Sequence, residues 1–418
     1  MNKKIIISVI VLMIIFLTNN YIFAQELKDL NITAKEVGVY ELKNLNPIYE
    51  KDARTQVPVA SLTKIMTAIV CLENVDMNEK VIVNLPEVKK YYDEEYSVAG
   101  LKDKQEISYY DLVETMLLPS GADSGACIAL NVFHDYDKFI QAMNDKAREL
   151  GMNNTSFSNV IGMDDKNNYS TVEDMAIMMK YAMENEYIKY GITQYAHTIK
   201  DGTKTVHNAL FQLADIYNID VSNITGGKTG FTGDAGYCLL SYSLTTPEPL
   251  ICIVLGSEVK PGTLYHLSET ETIFETINDT YSQKDLVSEG DVIVTLPAIK
   301  STKDVINIQA IEPIQTIMQN DESVDKEDVE IKYEGINTLS PQNKVGETLG
   351  KIDVYYKGKY IGSEEVKLTR RVPLDLKIWI HENPAQAVLF ALLMLGGIIL
   401  IVKIGIRIYK KKFQIIHY

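Results

Sequence analysis

The stretch at residues 58–71, PVASLTKIMTAIVC, constrains this chain most, because a domain has to be built around it. Pro58 suits the approach to a helix, and Val59, Ala60, Leu62, Ile65, Met66, Ala68, Ile69 and Val70 make the segment apolar enough to be buried. Ser61 and Lys64 interrupt it three residues apart, a spacing that places hydroxyl and amine on one helix face, a turn apart. Burial disfavours the ammonium form, so a lysine held there tends to lose its proton and can accept one from the serine. The pair reads as a candidate nucleophile and base. The spacing alone decides nothing, since Ser257 to Lys260 and Ser323 to Lys326 repeat it. Those two pairs lie among polar residues, where solvated helix faces produce such matches freely.

At 418 residues, 46% hydrophobic and 23% charged, the chain is long enough for two domains with separate cores. A net charge of −15 argues against a nucleic-acid binder. Cys71, Cys127, Cys238 and Cys252 are too scattered for a zinc cluster or a redox pair. Cys238 and Cys252 either face each other across a hairpin or, like the other two, serve as small buried hydrophobes in apolar runs.

Both ends carry membrane-related patterns. Lys3 and Lys4, an apolar run over residues 5–17 and a polar stretch ending at Ala24 have the layout of a signal peptide, residues 1–24, cleaved after Ala24. Ile22 is larger than such a site prefers, which leaves an uncleaved anchor as the alternative. Residues 385–406 are apolar over a bilayer's width if Lys403 snorkels, and Arg407, Lys410, Lys411 and Lys412 follow. The positive-inside rule then puts residues 407–418 in the cytoplasm and everything before Trp379 outside, held at the membrane by one transmembrane helix.

Between these ends, residues 37–49 alternate around an Asn-Pro turn and predict a hairpin. Helices are predicted at 110–118 and 123–132, broken by Pro119-Ser120-Gly121, at 137–150 with Gly151 as cap, and at 171–184. Strands return at 236–244 and 250–255, and 269–281 reads as a closing helix. Strands, helices, strands and a helix make an α+β domain over residues 25–283, a sheet built from both ends of the segment with a helical cluster inserted. Residues 284–370 switch to short alternating runs, a small β domain, with an acidic solvated loop at 321–330. Residues 371–384 read as a linker.

The second candidate for chemistry is Lys228-Thr229-Gly230 in GGKTGFTGDAGYCLLSYS, just before a strand. A phosphate loop would need glycine where Ser222 stands, and neither GxSxG nor HExxH occurs, so P-loop, histidine-dependent serine hydrolase and zincin readings lack support. His207 and His266 suit surface or core positions better than catalytic ones. A lysine and threonine at the start of an edge strand, facing Ser61 and Lys64, would bind a substrate carboxylate and add a second cation that lowers the Lys64 pKa.

Ser61-Leu62-Thr63-Lys64, then Ser120-Gly121 in MLLPSGADSGA, then Lys228-Thr229-Gly230 resemble, in order, the three motifs of the low-molecular-mass penicillin-binding proteins that act as serine-type D-alanyl-D-alanine carboxypeptidases. FIQAMNDKARELGMNNTSFSNVIGMDD and NYSTVEDMAIMMK look like that family's helical region, and the likeness runs over about residues 37–281. The resemblance implies a β-lactamase-like fold, no cofactor or metal, peptidoglycan pentapeptide stems as substrate and β-lactams as inhibitors. It implies Ser61 as acyl-ester nucleophile, Lys64 as general base and Ser120 as proton relay. Lys228 and Thr229 would hold the terminal carboxylate, with Gly230 in the same motif, and the backbone N–H groups of Ser61 and Phe231 would form the oxyanion hole. Two departures stand out. Ala122 replaces the usual asparagine of the second motif, with Asp123 as either a partial substitute or the start of a helix. Tyr265 and His266 stand where the family commonly has an arginine. A class A β-lactamase shares the first and third motifs but normally lacks the β domain and anchor, and a penicillin sensor without turnover is a non-enzymatic alternative.

Overall fold

Residues 250–255, LICIVL, are apolar without interruption because both faces of the sheet they enter are covered. The computed structural model describes residues 27–200, 202 and 204–415, with side chains to residue 408. The segment expected to be a signal peptide lies outside the described residues. Two compact units form, one of residues up to Gln283 with Ile317–Ser323, the other of Lys284–Thr316 and the chain from Val324 onward.

In the first unit, β1 (Glu36–Glu41), β2 (Pro47–Lys51), β3 (Gly226–Thr232), β4 (Gly236–Ser243) and β5 (Leu250–Ser257) make one antiparallel sheet in the order β2-β1-β5-β4-β3. Strand alternation divides the core in two. Tyr40, Leu240, Tyr242, Ile251 and Ile253 face the helical cluster, while Val37, Val39, Leu239, Leu250, Cys252 and Val254 pack against the last helix of the unit. Cys238 belongs to the first face and Cys252 to the second, so they cannot face each other. All four cysteines are free and buried.

The helical cluster comprises α1 (Thr63–Asn74), α2 (Tyr109–Leu117), α3 (Ala122–Val132), α4 (Tyr136–Leu150), α5 (Val172–Met183) and α6 (Glu186–Thr193), while α7 (Ala209–Tyr217), through Leu210 and Ala214, and α8 (Tyr265–Thr280) belong to the core on the opposite face. The ends follow local chemistry. The Ser108 and Thr171 side chains accept from the backbone N–H groups of Asp111 and Asp174 as N-caps, and Gly151 ends α4 at φ 86°. Helix α1 is buried almost all round and sits at the centre of the cluster.

Four local expectations change. Helix α8 starts at Tyr265 rather than Glu269, because His266 and Leu267 are both buried by it. Lys228-Thr229-Gly230 lies within edge strand β3 rather than before a strand. The acidic loop ends early, since Val329 and Glu330 enter a strand whose alternate residues are half-buried. The stretch read as a linker contains a helix, Leu376–Glu382, whose first N–H groups are capped by the Asp375 carboxylate.

In the second unit, Val292–Pro297 pairs with Val305–Gln309, and Val329–Gly335, Thr348–Tyr356 and Lys359–Lys367 form a meander. Its tight turn places Lys357 at φ 50° and Gly358 at φ 75°, the paired left-handed conformation that two-residue hairpins require. A helix, Pro384–Ile415, follows; its segment Pro384–Ile408 has mean hydropathy 2.7 and its apolar side chains are exposed. A helix of that length and composition suits a bilayer core and is consistent with a membrane anchor.

Candidate active site

The chain reaches Ser61 through a strained turn. Ala60 has φ 47°, costly for a residue with a Cβ, and opens the short 3-10 turn Ala60–Leu62 that leads into α1. This turn packs on β3, where Gly230 comes so close that a Cβ there would lie 3.1 Å from the Ala60 Cβ and 3.2 Å from the Ser61 nitrogen. A Cβ at this position would press on the turn, and glycine lets the edge strand run this near the serine without displacing it.

One helical turn on, Lys64 Nζ lies 2.7 Å from Ser61 Oγ and donates to the Ile161 carbonyl at 2.8 Å. That carbonyl is held in place from both sides. Asn159 Oδ1 accepts from the N–H groups of Ile161, Gly162 and Met163, and Thr67 Oγ1 donates to the Val160 carbonyl at 2.6 Å. Gly162, at φ 84°, would place a Cβ 1.8 Å from the Ala60 oxygen, so the loop seats directly on the strained turn.

Electrostatics follow from this enclosure. Burial holds Lys64 well below the usual lysine range, Lys228 pushes it down further and Asp123 opposes both. Lys228 is itself buried and pushed down to about 7 by desolvation; its ammonium donates to the Thr229 carbonyl at 2.9 Å. Two buried lysines, both with lowered proton affinity, thus lie close together.

A cavity of about 340 Å³ opens over the pair, lined by Ser61, Lys64, Ser120, Thr229, Phe231 and His266 among others. Ser120, half-buried in the cavity wall, has φ 63°, also in the left-handed region. Gly230 also lines the cavity. Lys228 was expected to face Ser61 together with Thr229, but successive residues of a strand point to opposite faces. Lys228 pairs with Leu240 and projects toward the helical cluster, under the cavity; Thr229 pairs with Leu239 and projects to the α8 side at the cavity mouth.

Ala122 is fully buried and offers no polar group at the position of the expected asparagine. Asp123 does not substitute for it. Its carboxylate accepts from the backbone N–H groups of Ala99, Gly100 and Leu101 at 2.7, 2.8 and 2.9 Å, clamping the loop that precedes α2. His207 is exposed on a short hairpin, while His266 is buried in the cavity wall, stacked on Tyr237 with ring centroids 4.8 Å apart. Sequence reasoning passed over Ile161, Asn159 and the place of His266 in the cavity wall. Ile161 acts through a backbone carbonyl that the fold brings to Lys64 and that no local pattern marks, while Asn159 acts locally, through a side-chain oxygen that accepts from the next few N–H groups.

Comparison with known proteins agrees with this arrangement. A family model described as D-alanyl-D-alanine carboxypeptidase matches residues 23–259, and one described as the C-terminal domain of penicillin-binding protein 5 matches residues 281–374. The D-alanyl-D-alanine carboxypeptidase DacF of Bacillus subtilis is 25% identical over 340 residues, 80% of this chain and 84% of that protein. DacC of Escherichia coli, another D-alanyl-D-alanine carboxypeptidase, is 31% identical over 222 residues, 50% of this chain and 53% of its own. Among solved structures, penicillin-binding protein 5 of Haemophilus influenzae has the same fold, with a TM-score of 0.62 at 21% identity over 82% of this chain and 98% of that one. The first match alone covers more than half of the sequence and contains the Ser61, Ser120 and Lys228 motifs, so the chain belongs to the D-alanyl-D-alanine carboxypeptidase family, with a penicillin-binding-protein β domain following the peptidase domain.

Proposed function

We propose that this carboxypeptidase removes the terminal D-alanine of peptidoglycan stem peptides through an acyl-enzyme on Ser61. Neutral Lys64 takes the Ser61 hydroxyl proton as Oγ bonds to the carbonyl carbon between the two D-alanines. The oxyanion is met by the backbone N–H groups of Ser61 and Phe231. As the C–N bond breaks, Ser120 passes a proton to the leaving amine; water then cleaves the ester and restores the serine. Thr229 takes the terminal carboxylate at the cavity mouth, and Lys228 acts from below, through its charge on the carboxylate and on Lys64. β-Lactams acylate Ser61 as substrate mimics. The helix from Pro384 spans the membrane once and holds the peptidase domain on the extracytoplasmic side, with the basic tail inside.

The observation that carries this reading is the 2.7 Å contact between Ser61 Oγ and a buried lysine whose proton affinity is depressed, at the floor of an open cavity. Purified residues 25–382 are expected to release D-alanine from a peptide ending in D-Ala-D-Ala and to carry a labelled penicillin on Ser61, both lost in Ser61→Ala. Labelling without release, which the buried Ala122 in place of an amide would favour, leaves a penicillin sensor; rapid penicillin turnover would point to a β-lactamase.

A further inference from the structure

Glu114 lies inside the helical cluster and takes no part in the reaction proposed above. It is 0% exposed, and among the described residues neither carboxyl oxygen has a hydrogen-bond partner. An unpaired carboxylate sealed from water is far costlier than the neutral acid, so the enclosure itself keeps a proton on this group. Burial, and after it the neighbouring Asp111 carboxylate, accordingly push it up to about 9. The packing around it is tight. Helix α6 packs against α2 here, and a Cβ on Gly191 would lie 3.1 Å from Glu114 Oε2 and 2.8 Å from Leu117 Cδ1. The bare glycine makes room for the carboxyl group and leaves none for the water shell of an anion.

The charged and titratable groups on the elements packed against α2 are engaged elsewhere. On α2 itself, Asp111 accepts from Ser108 at 2.8 Å and meets His197, on the strand Ala196–Thr198, at 2.9 Å. Tyr110 lies edge-on to His197 and to Tyr187 of α6, with Tyr190 tilted beside it. Lys200 Nζ sits over the Tyr110 ring and donates to Asn78. Lys189 of α6 pairs with Glu186, and Glu106, on the strand before α2, pairs with Lys80, both at the surface. On α1, Lys64 is held at Ser61 and Glu73 pairs with Lys146; on α3, Asp123 clamps the loop at residues 99–101. Burial pushes the Cys71 and Cys127 thiols up, so they stay neutral.

The seam bears on both walls of the cavity. Leu118, one turn after Glu114, donates to its carbonyl, accepts from the Ala209 N–H and leads into Pro119 and Ser120. On the other side α6 ends against the start of β3, where a Cβ on Gly226 would lie 2.7 Å from the Ile192 oxygen. We propose that Glu114 is a pH-sensitive latch: as a neutral acid it lets α6 close on α2 and so fixes the Ser120 turn and the start of β3, and as a carboxylate it opens that seam. This device does not depend on the reaction assigned to Ser61. The sign follows by linkage. In the closed seam the pKa lies above that of a solvated glutamate, about 4.3. The latch is therefore firmest below that value, weakens as pH rises toward about 9, and releases a proton when it opens.

Amide hydrogen exchange on the full chain in detergent reads the seam directly. Wild-type protection is divided by that of Glu114→Gln, and of Glu114→Met, at the same pH. The division cancels the intrinsic pH dependence of exchange and the titration of other groups, Lys64 and Lys228 included. Between about pH 5.5 and about pH 8.5 this ratio should fall by about tenfold or more over residues 118–121, 186–193 and 226–229, and stay level in the β domain. A ratio that does not change with pH overturns the latch. So does a fall confined to residues 186–193, because the cavity walls would then be held by something else. If neither variant folds, the wild type decides alone: protection of α6 relative to the β domain, corrected for intrinsic rates, falls over the same range, and a constant value overturns the proposal.

Discussion

At the scale of single residues, the proton affinity of Lys64, the base in the proposed mechanism, is set by a balance between burial and Lys228 on one side and Asp123 on the other. Lys64 must be neutral to accept the Ser61 proton, so acylation should rise with pH through the Lys64 pKa and fail below it. Replacing Asp123 tests the balance. Asp123→Asn removes the charge that raises the Lys64 pKa, so the acid limb of penicillin labelling should move to lower pH. It also turns an NH₂ group toward backbone donors of the loop at residues 99–101, all three of which Asp123 now accepts. Stability should drop by about 2 kcal/mol or more, measured by denaturant unfolding, because buried charge-assisted hydrogen bonds are lost. An unmoved acid limb would mean that Asp123 is only a clamp. That Ser61 and Lys64 meet within a buried segment was legible from their three-residue spacing in an apolar run. Asp123 was legible as a helix-start carboxylate but not as the anchor of a loop more than twenty positions earlier, since no local rule sets that partner.

At the scale of elements, the site depends on how closely the loop at residues 159–163 seats on the turn before α1. Asn159 folds that loop by accepting three backbone N–H groups, and Gly162 permits the contact with Ala60. Gly162→Ala adds a left-handed strain and a Cβ inside van der Waals range of a backbone oxygen. The expected outcome is a loss of more than about 2 kcal/mol in thermal or denaturant unfolding. Penicillin acylation should slow by about tenfold or more, because the Lys64 acceptor Ile161 moves with the loop. A variant with unchanged melting temperature and labelling rate would show that the loop has room to retreat. The existence of helices α2 to α5 was readable from periodicity, and the end of α4 from Gly151, whereas the Ser108 cap of α2 emerged only in the structure. Helices α6 and α7 were not read, and neither was the first turn of α8, where burial of His266 and Leu267 extends the helix beyond what the local pattern suggested.

For the whole molecule, the helix from Pro384 presents exposed apolar side chains over a length that suits a bilayer core. Removing residues 383–418 should therefore shift the protein from the membrane pellet to the supernatant while leaving kcat/KM on a short D-Ala-D-Ala peptide within about twofold. A truncated protein that still pellets would locate the anchor elsewhere. The amino-acid sequence by itself determined the α+β class, the β domain, the apolar tail and the three motifs, because each is encoded by period, composition or fixed spacing among near neighbours. Tertiary structure alone decided that alternation along β3 buries Lys228 on one side and sends Thr229 to the other. It also decided that Ile161, about a hundred residues after Lys64, supplies its acceptor, and that His266 lines the cavity with Nδ1 unpaired. Those outcomes depend on which distant backbone groups the packed sheet and helices bring together, and that is set by the fold rather than by any local stretch.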